Sequence, residues 1–130
     1  MAVDWRDVLD WTEEQVDDLR LTGYGYLRQG LYERAIVFFE ALVSIDPANL
    51  YDQQTLGALY LQIGDARRAI DTLDRALALD PADLPTQLNK AKAHLTLGER
   101  ETGLALSRTL TRAADRRIRN LAEALLLAYA

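Results

Sequence analysis

The fold is decided by residues 23–47, GYGYLRQGLYERAIVFFEALVSIDP, which recur in altered form as residues 57–81, GALYLQIGDARRAIDTLDRALALDP. The two segments lie 34 positions apart, and five features keep that spacing: Gly23 and Gly57, Tyr26 and Tyr60, Gly30 and Gly64, Ala35 and Ala69, and Asp46-Pro47 and Asp80-Pro81. Five matches at one period indicate an internal repeat rather than chance.

The repeated residue types favour two packed helices in each segment. Gly23 falls inside a helical pattern, where glycine costs about 1 kcal/mol relative to alanine and is tolerated when a neighbouring helix must approach closely. Ala35 allows the same close approach from the second helix. Gly30 is suited to end the first helix, because only glycine adopts the left-handed backbone freely. Pro47 then marks the end of the second helix, since proline disfavours the helical conformation in the residue before it.

A 34-residue period with Gly, Tyr, Gly, Ala and Pro in this order resembles the tetratricopeptide repeat, a helix-turn-helix unit that stacks into a solenoid with a concave face. The resemblance implies an all-α superhelix of about three repeats. Its register divides the chain as follows: a short N-terminal extension at 1–12 and a single domain at 13–130, with repeats at 16–49, 50–83 and 84–117 and a capping helix at 118–130.

The third repeat departs from the pattern. Ala91 occupies the small position of its first helix and Gly98 the turn, whereas His94 replaces the tyrosine, Gly103 the alanine and Asp115 the proline. Such divergence is typical of the last repeat in a stack.

Helical periodicity extends from Leu19 to the C-terminus, and no stretch alternates apolar and polar residues as a strand would. Thr12 and Gln15 form the pattern of a capping box, which predicts where the first long helix starts. The expected helices span 13–29, 32–45, 50–63, 66–79, 84–97, 99–113 and 115–129.

Composition excludes several classes of protein. The 130 residues contain no cysteine, so disulfide scaffolds and thiol chemistry are excluded. The formal charge of −5 argues against a nucleic-acid partner, because phosphate binding depends on Lys and Arg. The sequence shows neither a leader pattern nor an apolar run of about 20 residues, which predicts no membrane insertion and a cytoplasmic location.

Catalysis and cofactor binding have little support. His94 is the only histidine, so no metal cluster can be built on histidines, and we expect it to pack between helices. The acidic residues between positions 4 and 18 lack the alternating oxygen-ligand spacing of a calcium loop. Gly23-Tyr24-Gly25 resembles a phosphate loop superficially but has no preceding strand. We therefore expect no enzyme activity, no metal and no cofactor.

Charge is distributed unevenly along the chain. Residues 1–20 hold seven acids against two bases, and residues 100–119 hold six bases against two acids. This pattern is compatible with electrostatic guidance of a partner or of a second copy packed end against end, and equally with solvated helix faces.

In a tetratricopeptide stack the first helix of each pair lines the concave side, and the register predicts which residues point there. They are Arg20, Tyr24, Leu27 and Arg28 in the first repeat, Gln54, Ala58, Leu61 and Gln62 in the second, and Leu88, Lys92, Leu95 and Thr96 in the third. Aliphatic side chains mixed with amide and cationic donors suit an extended peptide. The alternative for each leucine is a place in the core between helices.

Tetratricopeptide cochaperones of the large heat-shock chaperones use a clamp of Lys, Asn, Asn, Lys and Arg. The matching positions here are Arg20, Tyr24, Thr55, Pro85 and Asn89, of which only the first keeps its charge. The sequence therefore argues against that cochaperone role.

A narrower resemblance covers residues 12–112. The motifs that carry it are Gly30-Leu31-Tyr32-Glu33-Arg34-Ala35, Phe39-Glu40-Ala41-Leu42, Asp46, Leu56-Gly57-Ala58, Gly64 and Ala69-Ile70, followed by Pro85, Ala91, Leu95, Gly98-Glu99 and Gly103-Leu104. They resemble the class II chaperones of bacterial type III secretion systems.

That resemblance implies a chaperone that holds a proline- and leucine-containing segment of a secreted translocator in its groove, at Tyr24, Leu27, Ala58, Leu61 and Leu95. The alternative is a general scaffold or assembly adaptor that joins folded proteins.

The N-terminal extension is rich in apolar residues. Trp5, Val8 and Leu9 occupy one face of a possible helical turn, with Trp11 nearby, and tryptophan is enriched in binding interfaces. The segment is either a cap over the first helix pair or a contact with a partner, which includes a possible homodimer.

Overall fold

The computed structural model describes residues 11–130, and that part of the chain forms seven α-helices and no strand. In chain order they are α1 (Glu13–Arg28), α2 (Tyr32–Ile45), α3 (Leu50–Gln62), α4 (Ala66–Leu79), α5 (Leu84–Thr96), α6 (Arg100–Leu110) and α7 (Arg116–Tyr129). The expected all-α fold is confirmed.

Side-chain caps set the starts of most helices. The capping box at α1 is present as expected: the Gln15 backbone N–H donates to Thr12 Oγ1 at 3.1 Å, and the Thr12 N–H donates to Gln15 Oε1 at 3.0 Å. Asp115 caps α7 by accepting a hydrogen bond from the Ile118 backbone N–H at 3.1 Å. The last helix therefore begins at Arg116, two residues before the expected capping helix at 118–130.

Glycine ends the first helix of each pair. Gly30, Gly64 and Gly98 have φ of 77°, 85° and 82°, the left-handed conformation that side-chain-bearing residues rarely adopt. These three turns reverse the chain, so that α1, α3, α5 and α7 run in one direction and the helices between them in the other.

The helices pack in chain order, α1 against α2 and so on to α7, which contacts α5 as well as α6. Small residues permit the close approaches within pairs. A Cβ on Gly57 would lie 2.6 Å from Leu73 Cδ2, and one on Gly103 would lie 2.5 Å from Leu95 Cγ. The divergent third repeat thus keeps the same tight packing, with Gly103 in place of the repeated alanine.

A cation-π contact recurs with the repeat. The Arg34 guanidinium lies 5.8 Å from the centre of the Tyr26 ring, and that of Arg68 lies 6.0 Å from the Tyr60 ring. Both contacts join the first helix of a pair to the second, which gives the repeated tyrosine a physical role.

Two groups of buried side chains hold the stack together. The N-terminal core is formed chiefly by α1 to α4 around the fully buried Phe39, Leu42 and Leu73. The C-terminal core consists of Leu88, Leu110, Ile118 and Ala122, with partly buried residues packed around it. The closing helix α7 therefore belongs to the domain.

Two glycines inside helices have opposite surroundings, which makes a testable pair. A Cβ on Gly25 would meet nothing within 4 Å, so Gly25→Ala is expected to raise the free energy of unfolding by about 0.5–1 kcal/mol through helix propensity. Gly57→Ala would force the buried Leu73 to move, and is expected to lower that free energy by about 1 kcal/mol or more. Urea unfolding followed by circular dichroism measures both, and a gain for Gly57→Ala would contradict the close packing of α3 on α4.

Candidate functional site

An open cavity of about 500 Å³ lies along the concave side of the stack. Its walls come from α1, α2, α3 and α5 and from the turn before α5. The lining residues are Tyr24, Leu27, Tyr32, Tyr51, Gln54, Thr55, Ala58, Leu59, Gln62, Asp83, Pro85, Thr86 and Asn89. We call this surface the groove.

Helical spacing explains why α3 supplies most of the groove. Tyr51, Gln54, Ala58 and Gln62 follow one another at intervals of three or four residues, so they share one face of α3. The small Ala58 side chain leaves room at the centre of that face. Tyr24 on α1 lies on the same cavity, which places an aromatic ring on its other side.

Tyrosines give the groove its apolar surface. Tyr24, Tyr32 and Tyr51 all line it, and Tyr51 packs edge-on against the buried Phe39 at 6.3 Å between ring centres. That contact holds the Tyr51 ring in place before any ligand arrives. Aromatic rings held in this way can contact a ligand with little loss of conformational entropy.

The polar side chains of the groove are largely free to bind. Gln54, Thr55, Gln62 and Asn89 form no side-chain hydrogen bond with any of the described residues. Amide and hydroxyl groups can donate to and accept from the backbone of an extended peptide. Their positions beside tyrosines suit a segment whose side chains enter apolar spaces while its backbone meets the amides.

Charge is nearly absent from the groove walls. Asp83 is the one Asp or Glu in the lining, and it serves as the cap of α5 by accepting a hydrogen bond from the Thr86 backbone N–H at 3.1 Å. No Lys or Arg is among the described residues that line the cavity. The groove is therefore suited to an uncharged ligand surface.

The structure brings five of the sequence-predicted groove residues together on this cavity. Tyr24 and Leu27 lie on it from α1, and Gln54, Ala58 and Gln62 from α3.

The remaining predicted residues lie elsewhere. Leu88 and Leu95 are each only 4% exposed: Leu88 belongs to the C-terminal core, and Leu95 packs where Gly103 leaves space. Leu61 is partly buried against the N-terminal core. Arg28 is exposed at the end of α1, and Lys92 is half-buried on α5.

Arg20 is held by a buried carboxylate instead of facing the groove. Its Nε and Nη2 donate to the two carboxylate oxygens of Asp52 at 2.7 and 2.8 Å, and Nη1 donates to Asp17 at 3.0 Å. The Asp52 side chain is 0% exposed. Hydrogen bonding to Asp52 raises the pKa of the Arg20 guanidinium, against the opposing effect of burial. The pair ties α1 to α3.

Several lining residues were not among the predicted groove set. Thr55, Pro85 and Asn89 were singled out only as clamp positions, and Tyr51 lies one helical turn before the predicted Gln54. Tyr32 was missed because the prediction took the lining from first helices alone. The signal that could have found Tyr51 is its spacing of three and seven residues from Gln54 and Ala58.

The other residues considered from the sequence, His94 and Gly23-Tyr24-Gly25, lie within helices. His94 is mostly buried on α5, and its Nδ1 lies 3.2 Å from Glu99 Oε1. Gly23, Tyr24 and Gly25 lie inside α1 and form no phosphate loop. Among residues 11–130, no cluster of His, Cys, Asp and Glu side chains has the arrangement of a metal site, and no helix has the length and apolarity needed to span a membrane.

The N-terminal apolar segment is only partly described. Trp5, Val8 and Leu9 lie outside the described residues. Trp11 is half-buried and packs against the N-terminal core at the start of α1.

Comparisons with known proteins agree with the fold. Residues 26–83 match the tetratricopeptide repeat family. The comparison with curated proteins gives no match.

Solved structures extend the similarity over the whole domain. A T3SS complex from Aeromonas hydrophila is similar, with a TM-score of 0.82 and 23% identity over 98% of this chain and 88% of the other. The Yersinia enterocolitica type III secretion chaperone SycD, solved with a peptide of the translocator YopD, has a TM-score of 0.73 and 23% identity over 92% of this chain and 98% of that one.

The second tetratricopeptide domain of human RPAP3, solved with an HSP70 peptide, has a TM-score of 0.75 and 20% identity over 86% of this chain and 95% of that one. Identities of this size establish the fold alone. The chain has the fold of tetratricopeptide-repeat proteins, and the solved structures that share this fold include chaperones of type III secretion.

Proposed function

We propose that this protein is a non-enzymatic chaperone of type III secretion that holds a peptide segment of a secreted, translocator-type protein in its groove. The observation that carries the proposal is the groove itself: a preformed cavity of about 500 Å³ with tyrosine walls, free amides and no cation among the described residues that line it. A cavity of this size is typical of ligand pockets. The structural similarity to SycD with its translocator peptide supports the same function.

The groove suggests how such a segment would be held. Ala58 marks the roomiest point of the α3 face, with Tyr24 and Leu27 on the α1 side, so an apolar side chain of the segment would enter there. Gln54 and Asn89 would meet its backbone. Leu61 and Leu95, which the family resemblance also implied, would act through the core that supports the groove. The protein would work in the bacterial cytoplasm without cofactor, metal or nucleic acid.

A second candidate, distinct from a general scaffold or adaptor that joins folded proteins, is a protein that binds acidic peptides as cochaperones do. Recognition of an acidic peptide requires free cations. Arg20, the only clamp position that keeps its charge, is already paired with Asp52 and Asp17. The structure therefore gives this alternative less support.

The peptide SGPTIEEVD, present in the RPAP3 structure, distinguishes the two functions. We expect it to bind no more tightly than a scrambled peptide, because the described lining of the groove offers no free cation and the chain carries a net charge of −5. Fluorescence anisotropy of a labelled peptide provides the measurement. Saturable binding that weakens as salt is added would favour the cochaperone-like function.

The direct test is to isolate the tagged full chain gently from its native host and identify by mass spectrometry what co-purifies in near-equal amounts. We expect a secreted, apolar protein that is insoluble when it is expressed alone and is lost from an Ala58→Glu variant. Recovery of soluble cytosolic proteins alone, or of a partner that Ala58→Glu retains, would contradict the proposal.

A further inference from the structure

The two end helices of the stack have outward faces that match each other. Among the described helices, the backbone of α1 lies close only to that of α2, and the backbone of α7 lies close only to those of α5 and α6, so α1 and α7 are the two end helices of the described stack. Each has one face turned away from its neighbours. Neither face takes part in the groove.

The outward face of α1 is acidic at its start and apolar further along. Glu14, Asp18, Leu21 and Gly25 follow one another at intervals of three or four residues, on the side opposite the buried Val16 and Gly23. Leu21 is 68% exposed. Glu13, next to Glu14 in the first turn of α1, adds negative charge to the same end.

The outward face of α7 is basic at its start and apolar further along. Arg116, Asn120, Glu123 and Leu127 share this face, flanked by Arg117 and Ala124. Leu127 is 85% exposed, and Glu123 is the one acid on the face.

Four arginines at this end make no ion pair or side-chain hydrogen bond with the described residues. They are Arg108, Arg112, Arg116 and Arg117, all exposed. By contrast Arg119 is used locally, because its Nη1 donates to the backbone oxygens of Ala113 and Ala114 at 3.0 and 2.9 Å.

One feature of these faces is unfavourable for an isolated chain. Gly25 weakens α1, yet a Cβ there would meet nothing within 4 Å. A glycine on an open helix face is explained if another helix approaches it from outside the molecule.

From these observations we infer that the acidic face of α1 docks on the basic face of α7 of a second copy, which extends the stack head to tail. The helices would run parallel, as α5 and α7 do within one chain, so that Glu14 and Asp18 lie opposite Arg116 and Arg117. Leu21 and Leu127 would then be covered together, with Gly25 and Ala124 allowing a close approach. Charge complementarity favours the parallel arrangement. In the antiparallel arrangement Arg116 and Arg117 would lie opposite Arg28, which carries the same charge.

Such a contact joins two different surfaces and leaves one of each free, so it forms open chains rather than closed dimers. The average mass of the full-length protein in sedimentation should therefore rise over a hundredfold range of concentration. The rise should be strong at about 0.01 M salt, where the Debye length is about 30 Å, and lost at about 1 M, where it is about 3 Å. A monomer at all concentrations in low salt would overturn the inference.

Two variants test which faces meet. Leu21→Asp and Leu127→Asp each place a carboxylate in the contact, and because both positions are exposed the fold should not change. Each variant alone should be monomeric. An equal mixture has one intact α1 face and one intact α7 face, so it should form a one-to-one dimer and nothing larger.

The matched control is Val37→Asp, which changes a residue that is 65% exposed on α2, away from both faces. It should associate as the unmodified protein does. A mixture that stays monomeric, a single variant that still forms chains, or a Val37→Asp variant that does not associate would each overturn the proposed contact.

Discussion

Replacing Arg20 with methionine is expected to lower the free energy of unfolding by about 3–5 kcal/mol, because it leaves the Asp52 carboxylate buried without its cation. Asp52 is fully enclosed, and its two oxygens are bonded to Nε and Nη2 of Arg20 at 2.7 and 2.8 Å. A loss of this size is a large part of the 5–15 kcal/mol that stabilises a typical domain. Urea unfolding followed by circular dichroism provides the measurement.

The double variant Arg20→Met/Asp52→Leu tests whether the loss of stability comes from the unpaired carboxylate. Replacing both partners by apolar residues of similar volume is often neutral or stabilising, so most of the lost stability should return. Arg28→Met on the same helix is the matched control, with an expected change within about 0.5 kcal/mol because Arg28 is exposed. An Arg20→Met variant as stable as Arg28→Met would show that the ion pair does not hold α1 on α3.

The same ion pair shows what the sequence could and could not predict. The 34-residue period predicted the helices, the turns at Gly30 and Gly64 and the close packing at Gly57. Each of these features depends on local residue type and spacing. Whether Arg20 faces the groove or a neighbouring helix depends on a residue 32 positions away, Asp52. Periodicity on one helix carries no information about that partner.

The residues expected in the groove likewise include some that the sequence could predict and some that it could not. Tyr24, Gln54 and Ala58 could be predicted because the concave side of first helices follows from the register. Leu88 and Leu95 occupy comparable register positions but are drawn into the core, Leu95 by the space at Gly103. The burial of Leu95 therefore depends on a contact with the second helix of the pair, which the register of α5 alone does not predict.

Ala58→Glu is expected to weaken binding of the groove's peptide partner by at least about 100-fold, equivalent to about 2.7 kcal/mol. The glutamate would fill the centre of the α3 face and place a carboxylate in the cavity that Tyr24 and Tyr51 line, where no described lining residue is a cation that could pair with it. Because Ala58 is half-buried and faces the cavity, the fold should lose little stability. Isothermal titration calorimetry with the segment recovered from the native host gives the affinity.

Ala78→Glu is the matched control for this variant. It makes the same change of charge at an exposed position on α4, a helix that contributes nothing to the groove. We expect Ala78→Glu to bind as the unmodified protein does, and to have the same free energy of unfolding as Ala58→Glu within about 1 kcal/mol. Equal affinity of the two variants would place the binding surface outside the groove, whereas a loss confined to Ala58→Glu would locate the peptide beside Tyr24 and Tyr51.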